Sequence, residues 1–202
     1  MQGYTHLTRL SSRVLKAQHS HWGLVTIKCA HQVKHRHFLK QEAEFLYSNT
    51  RSNTSNVWPT YCDYFFIHHC DCLTLTHMSG KTLLEIHNSS NIQASLPSHW
   101  LSTLESAINQ IHTLGFIHGD IKPSNIVISQ QGQMQLIDFG SVTKIGTERA
   151  ALRFESYTPQ YSRDYFVTSQ VDDWFSLAVI LEQLFDDAAL PSRYQTLLKQ
   201  QR

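Results

Sequence analysis

Apolar residues recur along this chain with two different periods, one typical of strands and one typical of helices. Short β-rich runs occur in pairs, which predicts β-hairpins. Longer segments carry an apolar residue every three or four positions, which predicts helices with one buried face. The predicted strands are 14–17, 24–28, 64–67, 73–75, 126–128 and 134–137. The predicted helices are 37–47, 98–113 and one that begins at Asp173.

The helix at 98–113 has the clearest pattern of the three. Its apolar residues at helical spacing are Leu101, Leu104, Ile108 and Ile111. Ser102 and Glu105, three residues apart, offer capping chemistry. Gly115 stands where a helix stop is expected. This helix leads directly into the first of two polar motifs.

The helix at 37–47 predicts a carboxylate on a buried face. Glu42 falls on the same face as Leu39 and Leu46, whereas Glu44 points elsewhere. A buried carboxylate needs a partner, and Lys28, at the end of the second predicted strand, is the obvious one. The alternative is that Glu42 is a boundary residue between the buried and exposed faces, with access to solvent.

Two polar motifs follow, and Asn125 of the first is 13 residues from Asp138 of the second. The first motif is HGDIKPSN at 118–125 and the second is DFG at 138–140. Carboxylates, an amide and a lysine suit phosphoryl transfer, because the acceptor must be positioned and the spread negative charge neutralised. We expect Asp120 to orient the acceptor hydroxyl, and oxygens of Asn125 and Asp138 to hold Mg²⁺.

The chain therefore resembles the protein kinases, specifically the bacterial, eukaryotic-like (Hanks-type) serine/threonine protein kinases. The resemblance rests on H-x-D-x-K-P-x-N, on D-F-G and on V-x-I-K ending at Lys28. It implies an α+β, bilobal fold with a β-rich N-lobe at 1–78 and a mainly helical, truncated C-lobe at 79–202. The implied activity is transfer of the γ-phosphoryl group of ATP to serine or threonine hydroxyls of proteins, including autophosphorylation.

The same resemblance implies a role for each site residue. The catalytic residues are Asp120, Lys122 and Thr158, the last in a T-P-x-Y stretch. The ATP-binding residues are Val14, Lys28, Glu42, Thr76 and Met78, with Thr76 and Met78 in the connector to the C-lobe. The Mg²⁺ (or Mn²⁺) ligands are Asn125 and Asp138, and the structural anchors are His118, Phe139 and Asp173. An alternative for Asp172 or Asp173 is a helix cap. We expect Lys28, Asn125 and Asp138 to surround one nucleotide.

Three departures from the kinase pattern limit the inference. The phosphate-covering stretch, Leu7–Ser12, contains no glycine, so its backbone cannot approach phosphates as closely. Gly119 replaces the usual arginine, so a phosphorylated activation segment would find no cation there. The A-P-E motif is degraded at 162–165, and few residues follow the last predicted helix. We expect Arg193 to pair with Asp164, and a partner protein to complete the C-lobe.

Composition excludes several other classes. A net charge of +1 gives no reason to expect nucleic acid or a membrane surface as a partner. No apolar run approaches the roughly 20 residues of a membrane span, and we expect a cytoplasmic protein. Its four cysteines are then reduced thiols. We expect no metal site at His68–Cys72, because no second ligand cluster accompanies that segment.

Two other functions remain open. H-G-D catalytic loops also occur in small-molecule kinases that act on antibiotics or sugars, and a short C-lobe would suit a small acceptor. The missing glycines favour a pseudokinase or a nucleotide-binding regulatory module. Neither the acceptor, the pathway, an activating partner nor the oligomeric state follows from the sequence.

Overall fold

The computed structural model describes residues 3–89, 96–154, 157–184 and 190–201. Contacts divide the chain into two compact units. The first unit comprises Met1–Met78 and Asp138–Gly140, and the second comprises Ser79–Ile137 and Ser141–Arg202. The main boundary falls between residues 78 and 79, and the DFG motif belongs to the first unit although its neighbours on both sides belong to the second.

The first unit is built on a five-stranded antiparallel sheet in the order β1-β2-β3-β5-β4. Its strands are β1 (Tyr4–Arg9), β2 (Val14–His19), β3 (Gly23–Ala30), β4 (Tyr61–Ile67) and β5 (Cys70–Thr76). The register places Lys28 between Val14 and Leu73. The two predicted N-terminal hairpin strands are confirmed. Strand β1 was not predicted, because its residues beyond Tyr4 are exposed and carry no alternating apolar pattern.

Helix α1 (Val33–Ser48) packs against this sheet. It begins four residues before the predicted start. The prediction missed its first turn because that turn is exposed or partly exposed and has no apolar stripe. The polar segment at 48–60, where the sequence pattern predicts neither a strand nor a helix, contains Trp58, which is only 1% exposed. Asn53 holds this segment, since its amide donates to the Trp58 carbonyl and its side-chain oxygen accepts from the Val57 N–H. A polar composition therefore concealed part of the core.

Among the described residues of the second unit there are four α-helices and two small sheets. The helices are α2 (Leu83–Asn88), α3 (Trp100–Thr113), α4 (Gln170–Leu184) and α5 (Ser192–Gln201). The strands are β6 (Lys81–Thr82), β7 (Phe116–Ile117), β8 (Ile126–Ile128), β9 (Met134–Leu136) and β10 (Thr143–Lys144). The predicted hairpin of β8 and β9 is confirmed, as are helix α3 and the stop at Gly115, which has a φ of +83°. None of the described helices is both long and apolar enough to cross a membrane.

The predicted capping residues of α3 were wrong. Ser102 lies inside the first turn, where its hydroxyl donates to the His99 carbonyl. Glu105 instead accepts from the Tyr194 hydroxyl and from Arg193 of α5. The same Ser/Thr-x-x-Glu pattern does form a complete capping box at α2, between Thr82 and Glu85.

Candidate functional site

Lys28 is the centre of a three-member ion cluster in the first unit. Its amine donates to both carboxylate oxygens of Glu42, at 2.7 and 2.8 Å, and to Oδ1 of Asp138 at 2.8 Å. The Glu42 side chain is 2% exposed and that of Lys28 17% exposed. In the structure Glu42 is buried together with Leu39 and Leu46, as the helical pattern predicts, whereas Glu44 is exposed.

Burial and charge act in opposite directions on this cluster. Burial alone lowers the pKa of Lys28, but the carboxylates of Asp138 and Glu42 outweigh it and raise the pKa above its ordinary value. Burial raises the pKa of Glu42, although the Lys28 charge opposes that shift. Lys28 thus stays protonated at neutral pH. The Asp138 side chain is half exposed and so is the member that faces solvent.

The DFG residues 138–140 are fixed to helix α1. Phe139 is fully buried, its ring stacks on Phe45 at 5.1 Å, and its N–H donates to Glu42. Asp138 has a φ of +68°, a conformation that costs free energy for a residue with a side chain. A Cβ on Gly140 would lie 3.3 Å from the Cβ of Phe38. The strained aspartate is therefore held in place by the packing of its neighbour.

Asp120 organises a second polar cluster, in the second unit. Its Oδ1 accepts from the Thr158 hydroxyl at 2.8 Å and from the Thr158 N–H at 3.1 Å. Its Oδ2 accepts from the Lys122 amine at 2.6 Å. Lys122 also donates to the Thr158 hydroxyl at 3.0 Å, which closes a ring of three side chains. Residues 36 positions apart in the sequence are thereby joined around one carboxylate.

Asn125 adjoins this ring. Its amide nitrogen donates to the Asp120 carbonyl at 2.9 Å and to Asp120 Oδ2 at 3.3 Å. Both hydrogen bonds use the nitrogen, so the amide oxygen is the acceptor that remains for a ligand. The amide oxygen of Asn125 and, in the first unit, the carboxylate of Asp138 are each of the class of hard oxygen donor that Mg²⁺ prefers.

Asp173 anchors the backbone of the loop that carries Asp120. It is fully buried in α4 and accepts from the N–H groups of His118, at 2.8 Å, and Gly119, at 3.0 Å. His112 of α3 donates to it from Nε2 at 2.9 Å. The His118 ring bonds the Ile137 carbonyl at 3.1 Å. The capping role falls to Asp172, which accepts from the Ser169 N–H just before α4.

His112 is a residue that the sequence analysis missed. It lies on the buried face of α3, next to Ile111, and its ring meets Trp174 edge-on. A polar residue on an apolar helix face is the same signal that identified Glu42 and could have found it.

The predicted Asp164–Arg193 pair was wrong. Arg193 pairs with Glu105, whose position on α3 faces α5. The ion pair near the degraded A-P-E motif is Arg163 with Asp172, and Arg163 also donates to the Ser169 hydroxyl. The cation of the ion pair near this motif is therefore Arg163, the residue just before Asp164, and not Arg193.

The remaining residues that were predicted to contact the nucleotide lie at the ends of sheet strands or just beyond them. Val14 begins β2, opposite Lys28. Thr76 ends β5, where its N–H donates to the Thr60 carbonyl, and Met78 is the last residue before the second unit. The turn from Leu10 to Arg13 is closed by hydrogen bonds from the Leu10 and Ser11 N–H groups to the Val14 carbonyl. The adenine contacts of Thr76 and Met78 stay a prediction.

Comparison with known proteins adds an independent finding. The family model described as "Protein kinase domain" matches residues 11–200. The chain is 25% identical over 168 residues to Citron Rho-interacting kinase of Mus musculus, covering 75% of this chain and 8% of that protein. It is 26% identical over 122 residues to Rho-associated protein kinase 1 of Homo sapiens, covering 55% and 9%. It is 25% identical over 144 residues to Rho-associated protein kinase let-502 of Caenorhabditis briggsae, covering 64% and 12%.

The chain thus spans only a small part of the length of these curated relatives. The family match and the N-terminal antiparallel sheet confirm the predicted α+β fold. A bacterial origin stays a prediction.

Proposed function

Because the chain belongs to the protein kinase domain family, we propose that it transfers the γ-phosphoryl group of Mg-ATP to serine or threonine hydroxyls of a protein. The observation that carries this proposal is the ring of Asp120, Lys122 and Thr158. A lysine and a threonine on either side of one carboxylate provide both charge and orientation for an acceptor hydroxyl. The names of the relatives, which include Rho-associated protein kinases, support a protein acceptor.

In this function Asp120 orients the acceptor hydroxyl and takes its proton as the new phosphate ester bond forms and the bond between the β- and γ-phosphates breaks, which releases ADP. Lys122 lies 2.6 Å from Asp120 and stabilises negative charge on the transferring group. Thr158 fixes the rotamer of Asp120 through two hydrogen bonds. Asp173 keeps the loop backbone in place from behind.

Lys28 binds the α- and β-phosphates, and Glu42 orients its amine. Asp138 and Asn125 would hold Mg²⁺, because they offer a carboxylate and an amide oxygen, and Mg²⁺ prefers oxygen ligands of this kind. Bound Mg²⁺ supplies positive charge that neutralises the phosphate oxygens during transfer. The Lys28 amine also contacts one oxygen of Asp138.

A regulatory nucleotide-binding module is the second candidate, and a specific observation favours it. The turn between β1 and β2 contains no glycine and is closed on itself at Val14. Such a turn offers fewer close backbone contacts to phosphates than a glycine-rich one. Weak nucleotide binding without transfer is the outcome this alternative predicts.

The test is a transfer assay with labelled Mg-ATP, run with the protein alone, with generic protein acceptors and with aminoglycosides or sugars. We expect label on protein, and a loss of at least ~100-fold in Asp120→Asn, the scale of a lost general base. Nucleotide should still raise the melting temperature of that variant, since it keeps Lys28 and Asp138. Label only on a small molecule, or stabilisation by nucleotide without any transfer, would reject the proposal.

We also propose a cytoplasmic location. The support is chemical: the four cysteines are free thiols, a state that a reducing compartment preserves. Cell fractionation tests this, and recovery of the protein outside the cytoplasm would contradict it. A partner that completes the second lobe stays a prediction.

A further inference from the structure

Three of the four cysteines come together on one face of the five-stranded sheet. Cys29 of β3 is the direct cross-strand neighbour of Cys72 of β5, and Cys70 lies two residues earlier on the same face. The sulfurs of Cys29 and Cys72 are 3.7 Å apart. All three sulfurs lie within 4.8 Å of one another. These three residues are termed the thiol cluster.

The surroundings of the thiol cluster are apolar. Cys70 and Cys72 are buried and pack with Ala17, Val25 and Ile27. Those three side chains supply no hydrogen-bond donor or metal ligand. Cys29 is only partly buried and therefore gives a metal ion a route to the sulfurs.

Sequence reasoning gave no metal site here because it considered only His68–Cys72. The two histidines lie in the turn between β4 and β5 with exposed side chains, and neither belongs to the group of close ligand atoms. The missing second ligand group is Cys29, which is 41 positions before Cys70 and reaches it only through the pairing of β3 with β5. Local spacing could not reveal that contact.

The ligand set selects the class of metal. Thiolates are soft ligands that favour Cu⁺, Zn²⁺ and iron–sulfur clusters, and structural zinc sites use four protein ligands. Within the part of the chain that the structure describes, the cluster has three ligands and no fourth. Cys62 is not a member, and its thiol donates to the Thr60 carbonyl instead. We propose that Cys29, Cys70 and Cys72 form a binding site for Cu⁺, an ion that two or three thiolates satisfy.

Binding exchanges protons for the metal. The three cysteines are free thiols in the folded chain. Each Cu–S bond forms as a thiol releases its proton to solvent, with no change in oxidation state. The ion links β3 to β5, and it lies on the opposite sheet face from Lys28, because Lys28 and Cys29 are consecutive strand residues. Copper binding at this face does not require the proposed kinase activity.

The test uses the full chain, reduced by a phosphine and kept free of oxygen. Cu⁺ is supplied as its bicinchoninate complex, and transfer is followed by loss of the complex's colour. We expect one Cu⁺ per chain, a thiolate-to-copper absorption band, and a higher melting temperature, since only the folded sheet brings all three sulfurs together. No transfer, or stronger stabilisation by Zn²⁺ in a parallel titration, would overturn the proposal.

Single variants locate the site. Cys29→Ser and Cys72→Ser should each weaken Cu⁺ binding by more than ~100-fold, because changes outside the ligand shell alone cost 10–100-fold. Cys62→Ser is the matched control and should bind as the parent does. If Cys72→Ser does not fold, the partly exposed Cys29→Ser decides the question. Equal weakening in Cys62→Ser, or full binding by Cys29→Ser, would refute the site.

Discussion

Glu42 is the residue on which the geometry of Lys28 depends. Replacing it with glutamine keeps the shape but removes the charge that the Lys28 amine contacts through two oxygens. We expect Glu42→Gln to lower the free energy of unfolding by about 2 kcal/mol, the scale of a hydrogen bond to a charged group. Transfer should fall at least ~10-fold, since Lys28 keeps only Asp138 as its partner. Urea unfolding and the labelled-ATP assay measure the two effects.

Glu44 provides the control on the same helix. It is exposed and pairs with Lys40 at 4.0 Å, so Glu44→Gln should change stability by less than about 0.5 kcal/mol. Transfer should not change. If the two variants behaved alike, the buried pair would not be what positions Lys28.

At position 119, where the kinase pattern has arginine, the structure leaves little room for a side chain. Its φ is +78°, and a Cβ at this position would lie 2.6 Å from the Ser141 carbonyl oxygen. Gly146 has a similar φ of +85° but nothing within 4 Å of its Cβ position. Both alanine variants should lose about 1 kcal/mol or more from the left-handed conformation. Gly119→Ala should lose a further 1–3 kcal/mol, roughly, from overpacking, as measured by urea unfolding.

Equal losses in the two glycine variants would show that the loop moves away from Ser141 at little cost.

Glu42 and Gly119 differ in how far their roles could be predicted from the sequence. The face of Glu42 was predictable, because a helical period assigns faces. The need for glycine at 119 was not, because it depends on a carbonyl that comes from a distant part of the chain.

At the scale of an element, Arg149 makes several contacts with the segment that carries Thr158. Its guanidinium lies 4.5 Å from the ring centre of Tyr157 and 4.0 Å from that of Tyr165. It also donates to the Ser162 hydroxyl. The segment that carries Thr158 is thus held by a stack that needs no phosphate.

We therefore predict that Arg149→Ala loosens this segment. Two cation–π contacts of about 0.5–1 kcal/mol each are lost, so amide hydrogen exchange at 157–166 should accelerate. The KM for a protein acceptor should rise, while stabilisation by nucleotide stays as in the parent. Arg153, exposed beside Phe154 at 5.4 Å, supplies the control. Unchanged exchange in Arg149→Ala, or equal acceleration in Arg153→Ala, would contradict the prediction.

Element prediction succeeded where a segment carried a strong period and failed where it did not. Helix α3 and the hairpin of β8 and β9 follow apolar repeats. Strand β1 is mostly exposed, and the six-residue α2 is too short for a repeat to be distinct. The capping pattern occurs at both Thr82 and Ser102, and only the position of the first helical turn decides which one caps.

At the scale of the whole molecule, the family and fold class followed from short motifs, whereas side-chain clusters did not. The Asp120 ring joins a loop to a threonine 38 positions away, and only the motif resemblance suggested it. The thiol cluster belongs to no motif and depends on the pairing of β3 with β5. The register between distant strands depends on how they pack, and packing cannot be read from a single sequence.

The acid–base balance of the whole chain predicts loss of stability in alkali. Burial raises the pKa of six tyrosines above the ordinary value near 10, namely Tyr4, Tyr61, Tyr64, Tyr161, Tyr165 and Tyr194. Burial likewise raises the pKa of three thiols, that of Cys62 to about 11, and the pKa of Lys28 is raised by its carboxylates. In every case the unfolded chain releases its proton at a lower pH than the folded chain does.

The sign of the effect follows from that order. Above pH 9 for the thiols, and above pH 10 for the phenols and Lys28, the unfolded state binds fewer protons than the native state, so the free energy of unfolding falls as pH rises. Urea midpoints measured from pH 8 to 12 should therefore decrease steadily. Tyr64→Phe removes a phenol whose pKa is raised to about 12 by burial and by Asp71, and should make the decrease between pH 10 and 12 shallower. A midpoint independent of pH, or an equally steep decrease in Tyr64→Phe, would mean that these groups reach solvent as freely in the folded chain as in the unfolded one.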